Sequence, residues 1–330
     1  MCAIFGTIGK ANLELIQEIS KKQLYRGPDE QNFFVSEDNL VSIGNNRLSV
    51  IDKQNGKQPM FSNNKRFVTV FNGCIYNFKE IKKFLGTKKV NFTSNSDTEV
   101  VANSFEHFGM KAFNYFDGMW AIAIYDQEKK TVVLSRDYVG QKPLYLSMSS
   151  GYYIFSSQLD GILLDKNISR DLSNENLKKY FAYSHVPSPG TIFKNVSQVA
   201  PGENIVINAK SLTLSKKKYW DLKSGPDYNL FFNKTIKEKF NNNFEKVVEN
   251  HMTADELPAL SLSSGIDSYI IMKNLLNFKE SLSSFTLGFD NKTYDESRHV
   301  KKIDEKIKKD IFYSNAEDLK KNFLKISKFI

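Results

Sequence analysis

The sequence of 330 residues predicts two domains of different fold class: an α+β layered sheet sandwich, followed by part of an α/β domain with a doubly wound parallel sheet. The first prediction rests on short apolar strands that follow one another with few helices between them. The second rests on alternating strands and helices. We place the first domain at residues 1–215, a linker at 216–232 and the second domain at 233–330. The linker includes WDLKSGPDYN, whose Gly-Pro pair is typical of a connection.

Three segments of the first domain have the composition of β-strands. RFVTVFNGC (66–74) is a β-branched, apolar run that ends in an Asn-Gly turn signal. GMWAIAIYD (118–126) and KTVVLSRD (130–137) are two more strands, separated by the polar turn QEKK. Ser96 and Glu99 have the spacing of a capping box, which predicts the start of a helix through VVANSFEHF.

In the second domain, helices are predicted for TIKEKFNNNFEKVVENHM (235–252), DSYIIMKNLL (267–276), ESRHVKKIDEKI (296–307) and AEDLKKNFLKISKFI (316–330). The segments LPALSL, SSFTLGF and DIFYS between them are predicted strands. Because each strand is followed by a helix, we expect the strands to be parallel.

Composition argues against several classes of protein. The net charge is +9, but only six of the 46 basic residues are arginine and the lysines are spread among acidic residues, so we expect no nucleic-acid partner. No apolar run approaches the ~20 residues of a membrane helix, and no signal peptide is recognisable. Two cysteines without paired spacing fit a cytoplasmic protein, and the four histidines have no metal-ligand spacing.

The N-terminal stretch MCAIFGTIG places a cysteine directly after Met1. We expect Met1 to be removed because residue 2 is small, which gives Cys2 a free α-amine. The reference pKa values of an α-amine (about 7.7–8.0) and a thiol (about 8.5) are close, so the amine can accept the thiol proton. A role as a small buried residue at the start of a first strand explains Cys2 equally well. The stretch alone does not decide between a nucleophile and a buried strand residue.

Eight stretches of the first domain are MCAIFG, RGPDE, NRLSVID, QPM, FNGCIYNF, SDTEV, FDGMWAIAIYD and SRDYVGQKPLY, in this order. Together they resemble the class II glutamine amidotransferases, and within these the glutamine-hydrolysing asparagine synthetases. The resemblance covers the family's N-terminal domain from end to end. It implies the sheet sandwich of the N-terminal-nucleophile hydrolases.

The resemblance also implies a glutaminase site. Cys2 would attack the side-chain amide of glutamine and release ammonia, while Arg47 holds the carboxylate and Asp97 the ammonium of the substrate. Asn72 and the backbone N–H of Gly73 would stabilise the oxyanion. The backbone of Leu48, Ser49, Val50 and Ile51 would line the pocket. Each residue also has a plainer explanation, namely a hairpin turn for Asn-Gly, a helix-capping acid for Asp97 and a surface ion pair for Arg47.

Cys74 departs from the family pattern, which usually has Glu after Asn-Gly to help hold the ammonium of glutamine. Loss of one charged contact would weaken glutamine binding by roughly 1–3 kcal/mol. The alternative is that Cys74 is a small apolar residue of the pocket whose missing charge is compensated elsewhere.

LSLSSGIDS (260–268) lies between a predicted strand and a predicted helix, where backbone N–H groups and the helix dipole favour an anion. It lacks the Walker pattern and resembles the SGGxDS loop of the ATP-pyrophosphatases, with serine at the first glycine position. An ordinary strand-to-helix turn is the alternative. The resemblance implies ATP as a substrate, bound with Mg²⁺, and no resident metal. The ATP-contacting residues it implies are Leu262, Ser263, Ser264, Gly265, Asp267, Ser268 and Leu287.

These resemblances predict glutamine-dependent asparagine synthesis from glutamine, aspartate and ATP, in a possible homodimer. The family's second phosphate motif, SGxGxDExxGGY, does not occur, so the resemblance covers the first third to half of a synthetase domain. Two alternatives stay open. The first is a protein with glutaminase activity only, or a degenerate amidotransferase that acts as a partner or binding protein. The second is a related ATP-dependent amidotransferase with another acceptor.

Overall fold

The computed structural model describes residues 2–222, 234–255, 259–279, 282–293, 295–303 and 307–314. The chain divides into two compact units, Met1–Ser224 and Gly225–Ile330, and each is described by itself. No helix in the described ranges is both long and apolar enough to cross a membrane.

The first unit is built mainly from antiparallel strands. Its strands are β1 (Ala3–Ile8), β2 (Glu30–Val35), β3 (Val41–Arg47), β4 (Met60–Phe61), β5 (Phe67–Ile75), β6 (Gly118–Asp126), β7 (Thr131–Arg136), β8 (Tyr145–Ser149), β9 (Tyr152–Ser156), β10 (Val196–Gln198), β11 (Glu203–Asn208) and β12 (Leu214–Lys218). Its α-helices are α1 (Leu13–Lys22), α2 (Phe78–Thr87), α3 (Asp97–Phe108), α4 (Leu159–Ile162) and α5 (Asn174–Tyr183).

These strands form two six-stranded sheets. One sheet has the order β10-β8-β9-β1-β3-β2, and the other has the order β12-β11-β7-β6-β5-β4. Within the first sheet, β1 pairs antiparallel with β3, and Ala3 lies opposite Asn46. Within the second, β5 pairs antiparallel with β6, and Gly73 lies opposite Trp120.

The side chains of the strands alternate between a core that lies between the two sheets and two outer cores. In β1, Ile4 packs into the core between the sheets, whereas Phe5 packs with α1 on the opposite face. In β5, Val70 packs into the central core, whereas Phe71 packs with α2 and α3. The unit is therefore a layered sandwich of helices, two sheets and helices, as the sequence predicts.

The predicted strands of the first unit are present, with one difference. GMWAIAIYD forms β6 with the predicted bounds, and β7 lies within KTVVLSRD. The prediction that the preceding strand ends at an Asn-Gly turn is wrong, because β5 continues through Asn72 and Gly73 to Ile75. Gly73 is needed there for space: a Cβ atom would lie 2.0 Å from the carbonyl oxygen of Met119 in the paired strand.

The predicted capping box at α3 is half correct. The Ser96 hydroxyl accepts a hydrogen bond from the Thr98 N–H and caps the helix. The Glu99 carboxylate does not return to the Ser96 backbone. It accepts hydrogen bonds from the backbone N–H and the hydroxyl of both Thr93 and Ser94, and so fixes the loop that enters α3.

The described part of the second unit alternates helices and strands: α6 (Lys234–His251), β13 (Leu260–Ser261), α7 (Ile266–Phe278), β14 (Leu282–Phe289), α8 (Ser297–Val300) and β15 (Ile307–Ser314). The three strands pair in the order β13-β14-β15 and are parallel, as predicted. Leu262, Met272 and Leu282 belong to the apolar core of this unit.

Two predictions for the second unit differ from the structure or lie outside it. The helix predicted over 296–307 is limited to the single turn of α8, and residues 304–306 lie outside the described ranges. The helix predicted over 316–330 lies outside them entirely.

In the first unit, β12 extends to Lys218, so the strand continues into the range predicted as a linker.

The space around Gly73 gives a test of the packing of β5 against β6. Gly73→Ala is expected to lower the free energy of unfolding by roughly 1–3 kcal/mol, because the new methyl group overlaps backbone that cannot move freely. Gly86→Ala is the matched control. A Cβ atom there meets nothing within 4 Å, and the helical position favours alanine by roughly 0.5–1 kcal/mol. Urea titration of both variants measures the two changes, and equal stability of the two variants would contradict this packing.

Candidate active site of the first unit

A cavity of about 180 Å³ lies in the first unit. The residues predicted for the glutamine site that line it are Cys2, Arg47, Leu48, Val50, Ile51, Asn72, Gly73, Cys74 and Asp97. Ser49 is the exception among the predicted residues: it does not line the cavity, and its backbone N–H donates to the Asp29 carboxylate at 2.7 Å.

The pairing of β1 with β3 explains why the two ends of this site meet. Cys2 directly precedes β1, and the segment 48–51 directly follows β3. Because the strands are antiparallel and Ala3 lies opposite Asn46, the start of one strand adjoins the end of the other. The Leu48 N–H lies 3.4 Å from the Cys2 Sγ, and this sulfur lies 3.7 Å from the Leu48 carbonyl oxygen.

Cys2 is held by its backbone as well as by its thiol. The Arg26 Nε donates to the Cys2 carbonyl oxygen at 3.1 Å. Burial raises the pKa of the Cys2 thiol, and the hydrogen bond with the Leu48 backbone acts against this rise. A cysteine with a raised pKa needs a proton acceptor, or nearby positive charge, before it is an effective nucleophile at neutral pH.

Asn72 supplies a hydrogen-bond donor without a partner. Its side chain is buried, and its Nδ2 makes no hydrogen bond within the described part of the chain. Burial of an amide N–H without an acceptor costs free energy, unless a bound ligand accepts its hydrogen bond. Its position beside Gly73 on a rigid strand is suited to an oxyanion that forms during reaction at Cys2.

Asp97 is a buried carboxylate at the first position of α3, where it accepts a hydrogen bond from the Ile75 N–H at 3.1 Å. Burial raises the pKa of Asp97 to about 6, although the hydrogen bond from Ile75 and the charge of Arg47 act in the opposite direction. Asp97 therefore presents a negative charge to the cavity at neutral pH and a neutral acid below about pH 6.

Arg47 is less free than the resemblance implies. Its Nη1 donates to the Glu30 carboxylate at 3.3 Å and to the Lys53 carbonyl oxygen at 3.1 Å. Its Nη2 donates to the carbonyl oxygens of Ile51 and Asp52 at 3.0 and 2.7 Å. The fork of the guanidinium is thus bound to the loop after β3. A two-pronged contact with a substrate carboxylate requires this loop to move.

Cys74 faces the same cavity from β5. Burial, together with the charge of Asp97, raises the pKa of the Cys74 thiol to about 12, while Lys142 acts in the opposite direction. At neutral pH the side chain is therefore an uncharged thiol, and of the two residues only Asp97 presents a carboxylate to the cavity.

Sequence reasoning missed the other residues that line the cavity, which are Gln58, Phe71, Ser96, Thr98, Met119 and Lys142. Gln58 has a structural task, since its side chain donates to the Thr98 hydroxyl at 3.1 Å and accepts from the Phe71 N–H at 2.7 Å. Lys142 lies in the stretch SRDYVGQKPLY. The match of this stretch to the family is the sequence signal from which Lys142 could have been identified.

In the second unit, the loop between β13 and α7 is closed by its own side chains. The Ser263 N–H donates to the Ser268 hydroxyl at 3.2 Å, and the Gly265 N–H donates to the Ser263 hydroxyl at 3.2 Å. The Ser264 N–H donates to the Glu296 carboxylate at 2.9 Å. The N–H groups of these three residues are therefore already paired, and the acceptor for one of them is a carboxylate.

The other residues predicted to contact ATP are placed differently from one another. Leu262 is in the core, with its N–H and carbonyl bonded to Phe285 and Thr286, whereas Leu287 is 54% exposed on β14. Asp267 is exposed in the first turn of α7. Ser264 does not adopt a positive φ, so serine in place of glycine causes no backbone strain.

Residues 1–220 match the family of the glutamine amidotransferase domain, and the chain belongs to that family. Residues 239–330 match the asparagine synthase family. The solved structure of glutamine phosphoribosylpyrophosphate amidotransferase from B. subtilis is similar at a TM-score of 0.51, with 14% identity over 95% of this chain and 81% of that chain. This likeness agrees with the layered sheet sandwich that the sequence predicts.

The chain is similar to putative asparagine synthetase [glutamine-hydrolyzing] 2 of Methanocaldococcus jannaschii, with 30% identity over 91% of this chain and 62% of that protein. It is also 30% identical to asparagine synthetase [glutamine-hydrolyzing] 1 of Bacillus subtilis, over 90% of this chain and 47% of that protein. The chain thus spans less than two thirds of the length of these relatives.

The raised pKa of Asp97 predicts a dependence of stability on pH. The folded state keeps the Asp97 proton up to about pH 6, whereas the unfolded chain loses it near the ordinary value of 3.8. Asp97 therefore lowers the free energy of unfolding as the pH rises through this window, by about 3 kcal/mol. Asp97→Asn is expected to gain stability over the wild type by about that much more at pH 7 than at pH 4.

Urea unfolding at a series of pH values measures this difference, with the exposed Glu37→Gln as the control variant. A stability difference between Asp97→Asn and the wild type that is the same at both pH values would contradict the assignment of a buried, destabilising carboxylate.

Proposed function

We propose that the first unit hydrolyses glutamine to glutamate and ammonia, with Cys2 as the nucleophile. The observation that carries this proposal is the convergence of Cys2, Asn72 and Asp97 on one cavity. They offer a thiol, an amide donor with no partner in the described part of the chain, and a buried carboxylate. These are the groups that a substrate with an amide carbonyl and an ammonium requires.

In the proposed reaction, removal of Met1 frees the α-amine of Cys2, which takes the proton from the thiol. The sulfur adds to the amide carbon of glutamine, and the negative oxygen is stabilised by the Asn72 Nδ2 and the Gly73 N–H. The C–N bond then breaks, and the leaving nitrogen takes the proton from the amine and departs as ammonia. Water hydrolyses the resulting thioester to glutamate and restores the thiol.

The remaining substrate contacts follow from charge. Asp97 would hold the ammonium of glutamine, and Arg47 the carboxylate once the loop after β3 releases its fork. The backbone of residues 48–51 would close the pocket over the substrate. Because Cys74 is neutral, the ammonium meets one carboxylate rather than two, and we expect weaker glutamine binding than in relatives with glutamate at this position.

Purified protein incubated with glutamine is expected to release glutamate, and Cys2→Ala is expected to reduce this release to the level of a blank. Cys74→Ala is the matched control, because it removes the other cysteine of the same cavity and keeps the nucleophile. Mass spectrometry of each preparation checks that Met1 has been removed. Below about pH 6, kcat/KM for glutamine is expected to fall as Asp97 gains a proton.

No glutamate release from processed, folded wild-type protein would contradict the glutaminase proposal. Equal loss of activity in Cys2→Ala and Cys74→Ala would contradict the assignment of Cys2 as the nucleophile.

We further propose that the whole reaction is glutamine-dependent asparagine synthesis. In it, ammonia from the first unit reacts with the β-aspartyl adenylate that forms from aspartate and ATP in the second. The match of residues 239–330 to the asparagine synthase family and the names of the relatives support this reaction class. The predicted homodimer and cytoplasmic location belong to the same proposal. They rest on the resemblance and on the low cysteine content.

In the second unit, the residues proposed to receive ATP are the loop Ser263–Ser268 and the exposed Leu287. The donor set fits a nucleotide phosphate in part: the loop N–H groups are present at a helix N-terminus, but those of Ser264 and Gly265 must exchange their present partners. Asp267, an exposed oxygen donor of the first helical turn, fits Mg²⁺ bound with the phosphates. When bound, Mg²⁺ would neutralise phosphate charge.

Titration of MgATP into Asp267→Asn is expected to give an affinity about tenfold weaker than in the wild type, as loss of one charged contact implies. Affinity for ATP in the presence of a chelator is expected to be the same in both proteins, which serves as the internal control. An equal loss with and without Mg²⁺ would contradict a metal-linked role for Asp267.

A further inference from the structure

Lys142 is the one cavity-lining residue whose charge has no counterpart in the proposed reaction. It lies in the segment between β7 and β8, is 8% exposed and lines the cavity together with Cys2 and Cys74. Its ammonium makes no hydrogen bond or ion pair with any residue that the structure describes. A lysine is rarely buried to this extent without a charge partner, because burial without compensation opposes folding.

The backbone at Lys142 is held rigidly, so its place at the cavity is built into the fold. The fully buried Asp137 carboxylate accepts hydrogen bonds from the N–H groups of Trp120, Gln141 and Lys142, at 2.8–3.1 Å. The Arg136 Nε donates to the Lys142 carbonyl oxygen at 2.8 Å. These contacts also explain the closely matched stretch SRDYVGQKPLY, whose first residues fix the position of its lysine.

Cys74 explains why this charge has no carboxylate beside it. The resembling family usually has glutamate at this position, and a glutamate here would be a candidate partner for the lysine. The thiol is neutral at physiological pH, and the buried Asp97 already accepts the Ile75 N–H. The charge of Lys142 is thus available to whatever negative charge forms at this end of the cavity.

We propose that Lys142 supplies a positive charge to the glutaminase site, which stabilises the negative charge that forms on the Cys2 sulfur before attack and on the side-chain carboxylate of the product glutamate. The inference rests on the proposed glutaminase function. The reaction takes no proton from Lys142: the thiol proton still passes to the α-amine and then to the leaving ammonia. The lysine contributes charge and no bond.

Several charged groups besides Lys142 affect the pKa of the Cys2 thiol, and none of them is changed in the variants described below. They are Arg26, which bonds its carbonyl oxygen, Arg47 on β3, Asp97 on α3 and the α-amine of the N-terminus. In turn, the charges of Cys2, Cys74, Asp137 and Arg26 act on Lys142. Since Asp97 gains its proton near pH 6, measurements above pH 7 separate its titration from that of the thiol.

The experiment is the rate of Cys2 alkylation by iodoacetamide as a function of pH, with peptide mass spectrometry to distinguish Cys2 from Cys74. Lys142→Met is expected to raise the midpoint of the Cys2 profile by roughly one pH unit, because a positive charge that lines the same cavity is lost. Lys142→Arg keeps the charge and is expected to keep the midpoint. Lys21→Met, at an exposed lysine of α1, is the control for loss of a charge elsewhere.

A second readout uses the product. Glutamate titrated into the protein is expected to bind about tenfold more weakly to Lys142→Met than to wild type or Lys142→Arg, because its side-chain carboxylate loses a charge partner. Both readouts are independent of turnover, and both are made on protein whose loss of Met1 has been checked by mass spectrometry. A protein that shows them but releases no glutamate from glutamine would refute the proposed glutaminase function and support the charge effect.

Two results would overturn the inference. One is an unchanged midpoint in folded Lys142→Met, with glutaminase activity present or absent. The other is an equal shift in Lys142→Met and Lys142→Arg, which would assign the effect to altered packing instead of charge. A shift in Lys21→Met as large as that in Lys142→Met would count against it in the same way.

Discussion

The face-to-face packing of two antiparallel sheets is the constraint on which the candidate site depends. Because β1 and β5 are buried on both faces, neither strand can shift register without moving apolar side chains out of a core. The start of β1, the end of β3 and the last residues of β5 therefore open on one cavity. The reactive groups project from strand ends whose positions the sandwich fixes.

Burial also determines the electrostatics of this cavity. The same desolvation raises the pKa values of Cys2, Cys74 and Asp97 and lowers that of Lys142. Each of these groups is less favourable in its charged form than in water. A substrate with an ammonium and a carboxylate supplies charges opposite to those of these groups. The free energy by which the buried groups destabilise the free protein can therefore be recovered as binding free energy.

Much of the first unit could be predicted from sequence, because apolar runs such as GMWAIAIYD specify a strand by local chemistry. Where a signal was ambiguous, long-range contacts decided. Asn72-Gly73 reads as a turn, but pairing with β6 keeps it extended. Glu99 reads as a cap, but the loop at Thr93 and Ser94 competes successfully for its carboxylate. In the second unit, α8 is far shorter than its pattern indicates.

By itself, the sequence determined the two fold classes, the nucleophile candidate Cys2 and the neutral residue at position 74, since these depend on residue type and order. Only the tertiary structure decided which side chains share a cavity, that the fork of Arg47 is bound to its own loop, and that the buried Lys142 side chain has no ion-pair partner among the residues that the structure describes. The reason is physical: burial and hydrogen-bond competition are properties of neighbours in space, and residues 2, 47, 74 and 142 become neighbours only when the sheets pack.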